Sequence, residues 1–419
     1  MKAYAEMSKE ELLEEQAVLK KRYDGFKHKE LKLDMSRGKP GADQLDLSMD
    51  MMKITDYKAD GVDCRNYGIV DGLPECRKLF ADLLGVDMKN VIIGGNASLT
   101  LMFDFISQGM THGFGAAPWM KSEKVKFLCP APGYDRHFTI CEYFGIEMIN
   151  VPMTEEGADV AFIEEAIQDE CVKGMFCVPK YSNPQGITYS DDVVRRIAAL
   201  KPAAKDFRIV WDNAYCVHDL DDTGDKLLNI FEELPKYGND DMVVMVASTS
   251  KITFAGAGVS ALVASDSNIA MIKSRMNAQT ISYDKLNQHR HVVFFKDAAG
   301  VLAHMKKHAA ILKPKFECVL ECLDKELTGT GVASWFNPKG GYFISLDVEE
   351  GCASRAGQLC KEAGVVLTTV GATYPYGKDT KDSNIRIAPS FPPVSELELA
   401  AELLCICVKL ACIEKFLAA

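Results

Sequence analysis

A lysine that ends an apolar run is the residue of this sequence with the most chemistry to offer. In Val246-Ala247-Ser248-Thr249-Ser250-Lys251 a hydrophobic stretch stops in hydroxyls and an amine. An amine desolvated there, near other cations, has its pKa lowered, and the neutral form can make a Schiff base with an aldehyde. The hydroxyls beside it could bind phosphate. Read alone, the same string is also an ordinary polar turn.

Four other places repeat the pattern of apolar residues running into polar ones. Ile209-Val210-Trp211-Asp212 ends in a carboxylate, with Tyr215 one helical step beyond. A buried acid needs a partner, and a protonated ring nitrogen would be one; a helix N-cap aspartate is the alternative. Ile92-Ile93-Gly94-Gly95-Asn96-Ala97-Ser98-Leu99 has the order strand, small-residue turn, helix start. That order offers free N–H groups and a positive dipole end to a phosphate, or simply a glycine turn with a cap. Val178-Pro179-Lys180-Tyr181-Ser182-Asn183-Pro184-Gln185-Gly186 forces a rigid turn that could aim the Asn183 amide at a ligand oxygen, or serve only as a turn. Late in the chain, Asn384-Ile385-Arg386-Ile387 sets an arginine in an apolar run, where its fork could clamp a carboxylate.

These groups gather only if the elements between them bring the strand ends together. Between Asp50 and Phe295 short apolar runs alternate with segments of helical period. Val91–Ile93 precedes a helix from Leu99, Val125–Leu128 precedes one from Tyr134, Met175–Val178 precedes one from Asp191, and Arg208–Trp211 and Val243–Val246 complete the series. Buried strands alternating with helices predict a mainly parallel sheet covered on both faces, with its functional loops at the carboxyl ends of the strands. From Ala298 the pattern changes to a long helix reaching Leu327, a strand pair around Gly341–Leu346, a helix near Ser354–Ala363, a strand at Asn384–Ala388 and a closing helix from Ser395. At the start, Ser8 and Glu11 have the spacing of a capping box that opens a charged helix to about Tyr23. The expected division is 1–50 as a helix and arm belonging to a small lobe, 51–297 as a large domain, and 298–419 as a smaller α+β domain.

Composition narrows the class. A chain of 419 residues with 47% hydrophobic and 26% charged residues predicts globular lobes. The net charge of −11 argues against tracking nucleic acid or anionic lipid, since both need clustered cations. The 14 scattered cysteines form no C-x-x-C pairs, which fits reduced thiols in the cytoplasm and no metal site. Neither a secretion signal nor a membrane span is expected, because charges such as Lys409, Glu414 and Lys415 interrupt the apolar runs.

The succession of these motifs resembles the class I/II aminotransferases of fold type I, which use pyridoxal 5′-phosphate (PLP). Arg65-Asn66-Tyr67-Gly68 with Gly72-Leu73-Pro74-Glu75-Cys76-Arg77 resembles that family's Tyr-Gly…Gly-Leu-Pro-x-x-Arg segment, and Pro130-Ala131-Pro132-Gly133-Tyr134 its Pro-x-Pro-aromatic segment. The nearest likeness is to a divergent bacterial branch of aspartate aminotransferases, related to the aminotransferase-like domain of MocR-type regulators. The resemblance implies an α/β fold with a large domain built on a mainly parallel sheet of about seven strands, and a smaller α+β domain.

It also implies roles. Lys251 would hold the cofactor and shuttle the proton, Asp212 would keep the pyridine nitrogen protonated, and Asn183 and Tyr215 would bond the ring oxygen. Tyr134 would stack on the ring. Asn96, Ala97, Ser98 and Ser248 would hold the phosphate, joined by Tyr67 from the second subunit of a homodimer. Arg386, helped by Gly38 and Asn183, would grip the α-carboxylate, and Pro132 and Pro184 would follow cis peptide bonds. Where the family carries a phosphate-binding arginine after the lysine, this sequence has Ala255-Gly256-Ala257-Gly258-Val259. Either another cation substitutes, or the helix terminus and hydroxyls suffice.

The implied reaction is ping-pong transfer of an amino group from an amino acid, with aspartate or glutamate expected, to a 2-oxo acid such as 2-oxoglutarate or oxaloacetate. A second cation would be needed for the distal carboxylate. Lys285 is the first candidate, with His289 and Arg290 near it, against the alternative of a solvated basic helix start. Competing readings are another PLP reaction on the same scaffold (an alanine or aromatic aminotransferase, or a C–S lyase) and a ligand-sensing regulator domain. The segment before Leu33 has room for one helix of mixed charge, which disfavours a DNA-binding regulator.

Overall fold

The computed structural model describes residues 2–418. Its centre is an eight-stranded sheet. In chain order the strands are β1 (Val91–Ile93), β2 (Lys126–Ala131), β3 (Glu147–Thr154), β4 (Gly157–Ala158), β5 (Val172–Cys177), β6 (Arg208–Asp212), β7 (Val243–Ser248) and β8 (Ser260–Val263). Their spatial order is β1-β8-β7-β6-β5-β2-β3-β4. The run β7-β6-β5-β2-β3 is parallel throughout. Only β8, against both its neighbours, and the short β4 pair antiparallel. The expected parallel strands are all present. β3, β4 and β8 are the additions: a strand with charge at its start, the two-residue strand that pairs on its outer side and a four-residue return strand.

The sheet is buried on both faces because successive side chains of a strand point to opposite sides. Ile209 and Trp211 of β6, with Val243 and Met245 of β7, join one apolar cluster, whereas Val210, Val244 and Val246 join the other. Such strands read as continuous apolar runs, and the first polar residue of each marks the place where it emerges.

Helices cover these faces and set the loops. Leu73 leads into α1 (Pro74–Leu84), whose first residue is a proline that lacks only an N–H the helix would leave unpaired, and Gly85 closes it in the left-handed region at φ 66°. β1 feeds α2 (Ser98–His112), and β2 feeds α3 (Asp135–Tyr143). α4 (Lys285–Phe295), capped by Asp284, returns toward the loops at the carboxyl ends of the strands.

A second apolar core gathers the remainder. The 30-residue α5 (Ala298–Leu327) and α6 (Val394–Ala418) pack with a three-stranded antiparallel sheet made of β9 (Ala333–Trp335), β10 (Ile344–Val348) and β11 (Asn384–Ile387). The N-terminal helix Lys9–Lys27 lies here too, through Leu12, Leu19 and Phe26. Its capping box is formed: the Glu11 amide donates to Ser8 Oγ at 3.2 Å and the Ser8 amide to Glu11 Oε2 at 2.6 Å. Arg386 sits on β11 opposite Ser345, so its side chain is carried by this second layer toward groups set by the large sheet.

Candidate active site

Asp212 is the last residue of β6 and is buried with it. One carboxylate oxygen, Oδ2, lies 3.1 Å from Nε2 of His137, while Oδ1 is buried without a hydrogen-bond partner among the described residues. A carboxylate oxygen is costly to leave dry and unpaired, so this one is shaped for an N–H that the chain does not provide. His137 is a residue the sequence reading missed. It lies on α3 beyond Tyr134, its ring stacked on Phe176 at 4.6 Å and edge-on to Tyr134 at 5.1 Å. The available signal was helical spacing: a residue three past Tyr134 returns to the same side of the helix.

Lys251 follows β7 by a tight turn, and its Nζ lies 5.0 Å from the centre of the Tyr215 ring and 5.9 Å from that of Tyr342. Loss of water around the amine lowers its pKa, and the charge of Asp212 opposes that shift in part. The Tyr342 hydroxyl donates to the Lys251 carbonyl at 3.3 Å, which fixes the main chain from which the amine extends. Tyr215 lies in a turn rather than a helix, buried against Tyr342 at 6.1 Å. Burial raises its phenol pKa far enough that it stays an O–H donor.

The bonds Ala131–Pro132 and Asn183–Pro184 are both cis. Tyr134 N-caps α3, and Asn183 is buried with its Oδ1 accepting from Arg386 Nη1 at 3.3 Å. Arg386 also donates from Nε to Thr368 Oγ1 and from Nη1 to Asp135 Oδ1, each at 3.2 Å, and lies 4.9 Å over the Phe343 ring. Its Nη2 has no hydrogen-bond partner among the described residues. Gly38 approaches the same ring so closely that a Cβ there would collide with Phe343 Cζ.

The other end of the site is made of loops. Ala97 precedes α2 in an extended conformation with no side-chain cap, so the first amides of the helix, at Ser98 and beyond, remain free for an anion. Ser248 Oγ donates to Ser250 Oγ at 3.1 Å, and Ser250 Oγ donates to the Asn96 carbonyl at 2.6 Å. Gly258 packs directly on this knot, with a Cβ there meeting Ser250 N at 2.9 Å and the Asn96 oxygen at 3.0 Å. Asn287 holds the loop down by donating to the carbonyls of Ala257 at 2.9 Å and Gly258 at 3.0 Å. Within the segment that replaces the arginine, Gly258 therefore lies against backbone that leaves no free space for a side chain there. Among the described residues no lysine or arginine hydrogen-bonds to Asn96, Ser98, Ser248 or Ser250.

Two expected residues stand apart. Tyr67 is 81% exposed, and its hydroxyl makes no hydrogen bond among the described residues. Lys285 is 3% exposed, and its ammonium faces the main chain around Tyr67, donating to the carbonyls of Asn66 at 2.6 Å and Gly68 at 2.9 Å and to Ser282 Oγ at 3.2 Å. His289 Nε2 lies 3.4 Å from Asp56 Oδ2.

A desolvated amine, an unpaired carboxylate oxygen, a phenol donor, an uncapped helix terminus with hydroxyls and a forked cation can serve amine chemistry on a phosphorylated aromatic group. The comparisons agree with that geometry. The family profile described as aspartate amino-transferase matches residues 7–419. An aspartate aminotransferase of Corynebacterium glutamicum is 48% identical over 95% of this chain and 94% of its own. A putative aminotransferase of Mycolicibacterium smegmatis is 46% identical over 99% of both chains. The crystal structure of an aspartate transaminase from Corynebacterium glutamicum superposes with a TM-score of 0.97 at 46% identity, covering 99% of each chain. No helix among the described residues is long and apolar enough to cross a membrane. The chain belongs to the aspartate aminotransferase family and is a PLP-dependent aminotransferase of fold type I.

Proposed function

We propose that this enzyme transfers the amino group of aspartate or glutamate to a 2-oxo acid, with oxaloacetate and 2-oxoglutarate as the oxo partners, in a ping-pong cycle in the cytoplasm. The observation that carries the cofactor assignment is the unpaired Asp212 Oδ1, a buried acceptor suited to a pyridinium N–H. Bound PLP supplies an aldehyde and a cationic ring that draws electron density from the substrate Cα. Asp212 would keep that ring charged, with His137 fixing the carboxylate through Oδ2. Asn183 and Tyr215 would hydrogen-bond the ring oxygen, and Tyr134 would cover the ring face. Asn96, Ala97, Ser98, Ser248 and Ser250 would surround the phosphate.

Lys251 would hold the cofactor through Nζ. Displaced by the substrate amine, it would take the Cα proton on the same atom, and its lowered pKa suits it to be a neutral base. Arg386 would grip the α-carboxylate with its planar fork, exchanging Asp135 for substrate, and Gly38 would close the arm over it. Tyr67, exposed in one chain, would complete the phosphate site of a second copy, making the active form a homodimer.

The test is an amino-acid panel added to the PLP-loaded protein, followed by bleaching of the visible absorbance of the lysine-linked cofactor and by oxo-acid release. Aspartate and glutamate should bleach it fastest. Bleaching by alanine or aromatic amino acids with none by dicarboxylic ones would overturn the substrate assignment.

A further inference from the structure

Lys285 is a buried cation that hydrogen-bonds to no carboxylate among the described residues. It is the first residue of α4, where the positive end of the helix makes a like charge unfavourable, and it is 3% exposed. Three neutral oxygens compensate, those of Asn66, Gly68 and Ser282, and together they occupy the donors of one ammonium. Two of the three flank Tyr67. The loop is one that needs holding: Gly68 has φ 104° and the β-branched Ile69 has φ 61°, in the left-handed region such a residue avoids. One turn further along α4, Gln288 Oε1 accepts from the Leu73 amide at 2.8 Å. α4 thus grips the 66–73 segment at two points on one face. Through Asn287 it also holds the 257–258 loop beside Ser250.

We propose that Lys285 is a positioning residue that presents Tyr67 to the cofactor phosphate of a second subunit, and that it does not read the distal carboxylate of the substrate. The inference rests on the shared-site reading given above. A primary ammonium can satisfy diverging carbonyls at once, which an apolar side chain of similar length cannot. With the latch lost, the loop should relax, and the phenol should lose its bond to the phosphate while the rest of the site stays intact.

The experiment measures the dissociation constants of PLP and of pyridoxal, which lacks the phosphate, for the apo-dimer of wild type, Tyr67→Phe, Lys285→Met, Lys285→Gln and the Tyr67→Phe/Lys285→Met double variant. A lost hydrogen bond to an anionic group corresponds to about a 10- to 100-fold weakening. Tyr67→Phe and Lys285→Met should each weaken PLP binding by that factor, the double variant no further, and pyridoxal binding should not change. Lys285→Gln keeps N–H donors and should recover most of the affinity. The ratio of kcat/KM for aspartate to that for alanine should stay at the wild-type value in both lysine variants. Additive losses, or a selective fall for aspartate with unchanged PLP binding, would overturn the latch. If Tyr67→Phe alone leaves PLP binding unchanged, the shared-site reading fails and the latch with it. Should Lys285→Met not fold, Lys285→Gln takes its place in the cycle: a small loss of PLP affinity that disappears in the Tyr67→Phe background would support the latch, and a loss that persists there would overturn it.

Discussion

The two ends of the site, the one proposed for the cofactor ring and the one proposed for its phosphate, are built from different materials. At the ring end, Asp212, His137, Asn183, Tyr215 and Arg386 lie among core residues and constrain one another directly. At the phosphate end, Ser98 opens α2 and Ser248 closes β7, Asn96, Ser250 and Gly258 lie in loops fastened through main-chain atoms, and Tyr67 is exposed. Charge must be placed accurately where bonds change, and a buried hydrogen-bonded core does that. An anchor for a dianion can be made from free amides and hydroxyls, and completed by a second chain. Substitutions at the ring end should therefore act on turnover, and those at the phosphate end on cofactor retention.

The largest effect is expected at Asp212. Asp212→Asn keeps the shape and can keep the contact with His137, but removes the negative charge facing the ring nitrogen. Loss of one partner of a buried charge pair costs about 3–5 kcal/mol, so kcat should fall by about 100- to 1,000-fold or more. PLP should still bind. Single-turnover kinetics on the loaded protein measure this, and an equal loss of PLP affinity with unchanged kcat would erase the contrast between the two ends.

Arg386→Lys comes next. Lysine keeps the charge but cannot reproduce the planar two-bond clamp, and Asn183 would lose the donor that faces it. kcat/KM should fall by about 10- to 100-fold for aspartate, glutamate and alanine together. A fall confined to dicarboxylic substrates would move Arg386 to the distal group.

Acid should loosen the support under Lys251. His291 Nδ1 lies 2.8 Å from the Asn287 carbonyl, so Nε2 is left to accept from Thr249 and Thr253 hydroxyls, each at 2.9 Å. Burial pushes its pKa from 6.5 to about 4. The folded state thus resists a proton that the unfolded chain accepts, and the contribution is present above pH about 6.5 and lost as pH falls toward about 4. It is at most on the order of 3 kcal/mol. Urea midpoints measured from pH 7.5 down to 4.5 should fall, and a His291→Leu variant should show a shallower fall. An unchanged slope would place the acid sensitivity elsewhere.

How much of this was legible from the sequence follows from the same contrast. Asp212, Ser248 and Lys251 could be read because each stops an apolar run that the sheet buries on both faces, so the polarity change coincides with the strand end. Asn183 and Arg386 were legible for a similar reason, as polar residues in rigid or apolar surroundings. His137 was harder: helical spacing puts it on the side of Tyr134, but a histidine in a helix of mixed polarity does not show that its ring stacks on Phe176 beside Asp212. Nor did spacing reveal where Lys285 points, since a charged residue at a helix start is usually solvated. β8 escaped because four residues after a glycine-rich loop carry too little pattern to separate a return strand from a turn.

The smallest effect concerns Gly258, and it decides why the phosphate end has no arginine. A methyl group added there would meet the Ser250 amide nitrogen at 2.9 Å and the Asn96 carbonyl at 3.0 Å, atoms of main chain that cannot swing aside as a side chain would. Gly258→Ala should therefore push the 250 and 96 turns apart, at a cost of about 1–3 kcal/mol typical of overpacking. The hydroxyl of Ser250, held on the Asn96 carbonyl at 2.6 Å, would move with them. PLP should bind more weakly, while kcat at saturating PLP should remain near the wild-type value because no ring-end group has moved. Gly258→Arg makes the argument sharper. If the site lacks only a cation, this variant gains PLP affinity; if the close backbone packing forms the phosphate cup, it loses affinity at least as much as Gly258→Ala. Loss is the expected outcome, read from PLP titration of the apo-protein, because a guanidinium cannot offset the separation of the amides and hydroxyls that already surround the anion.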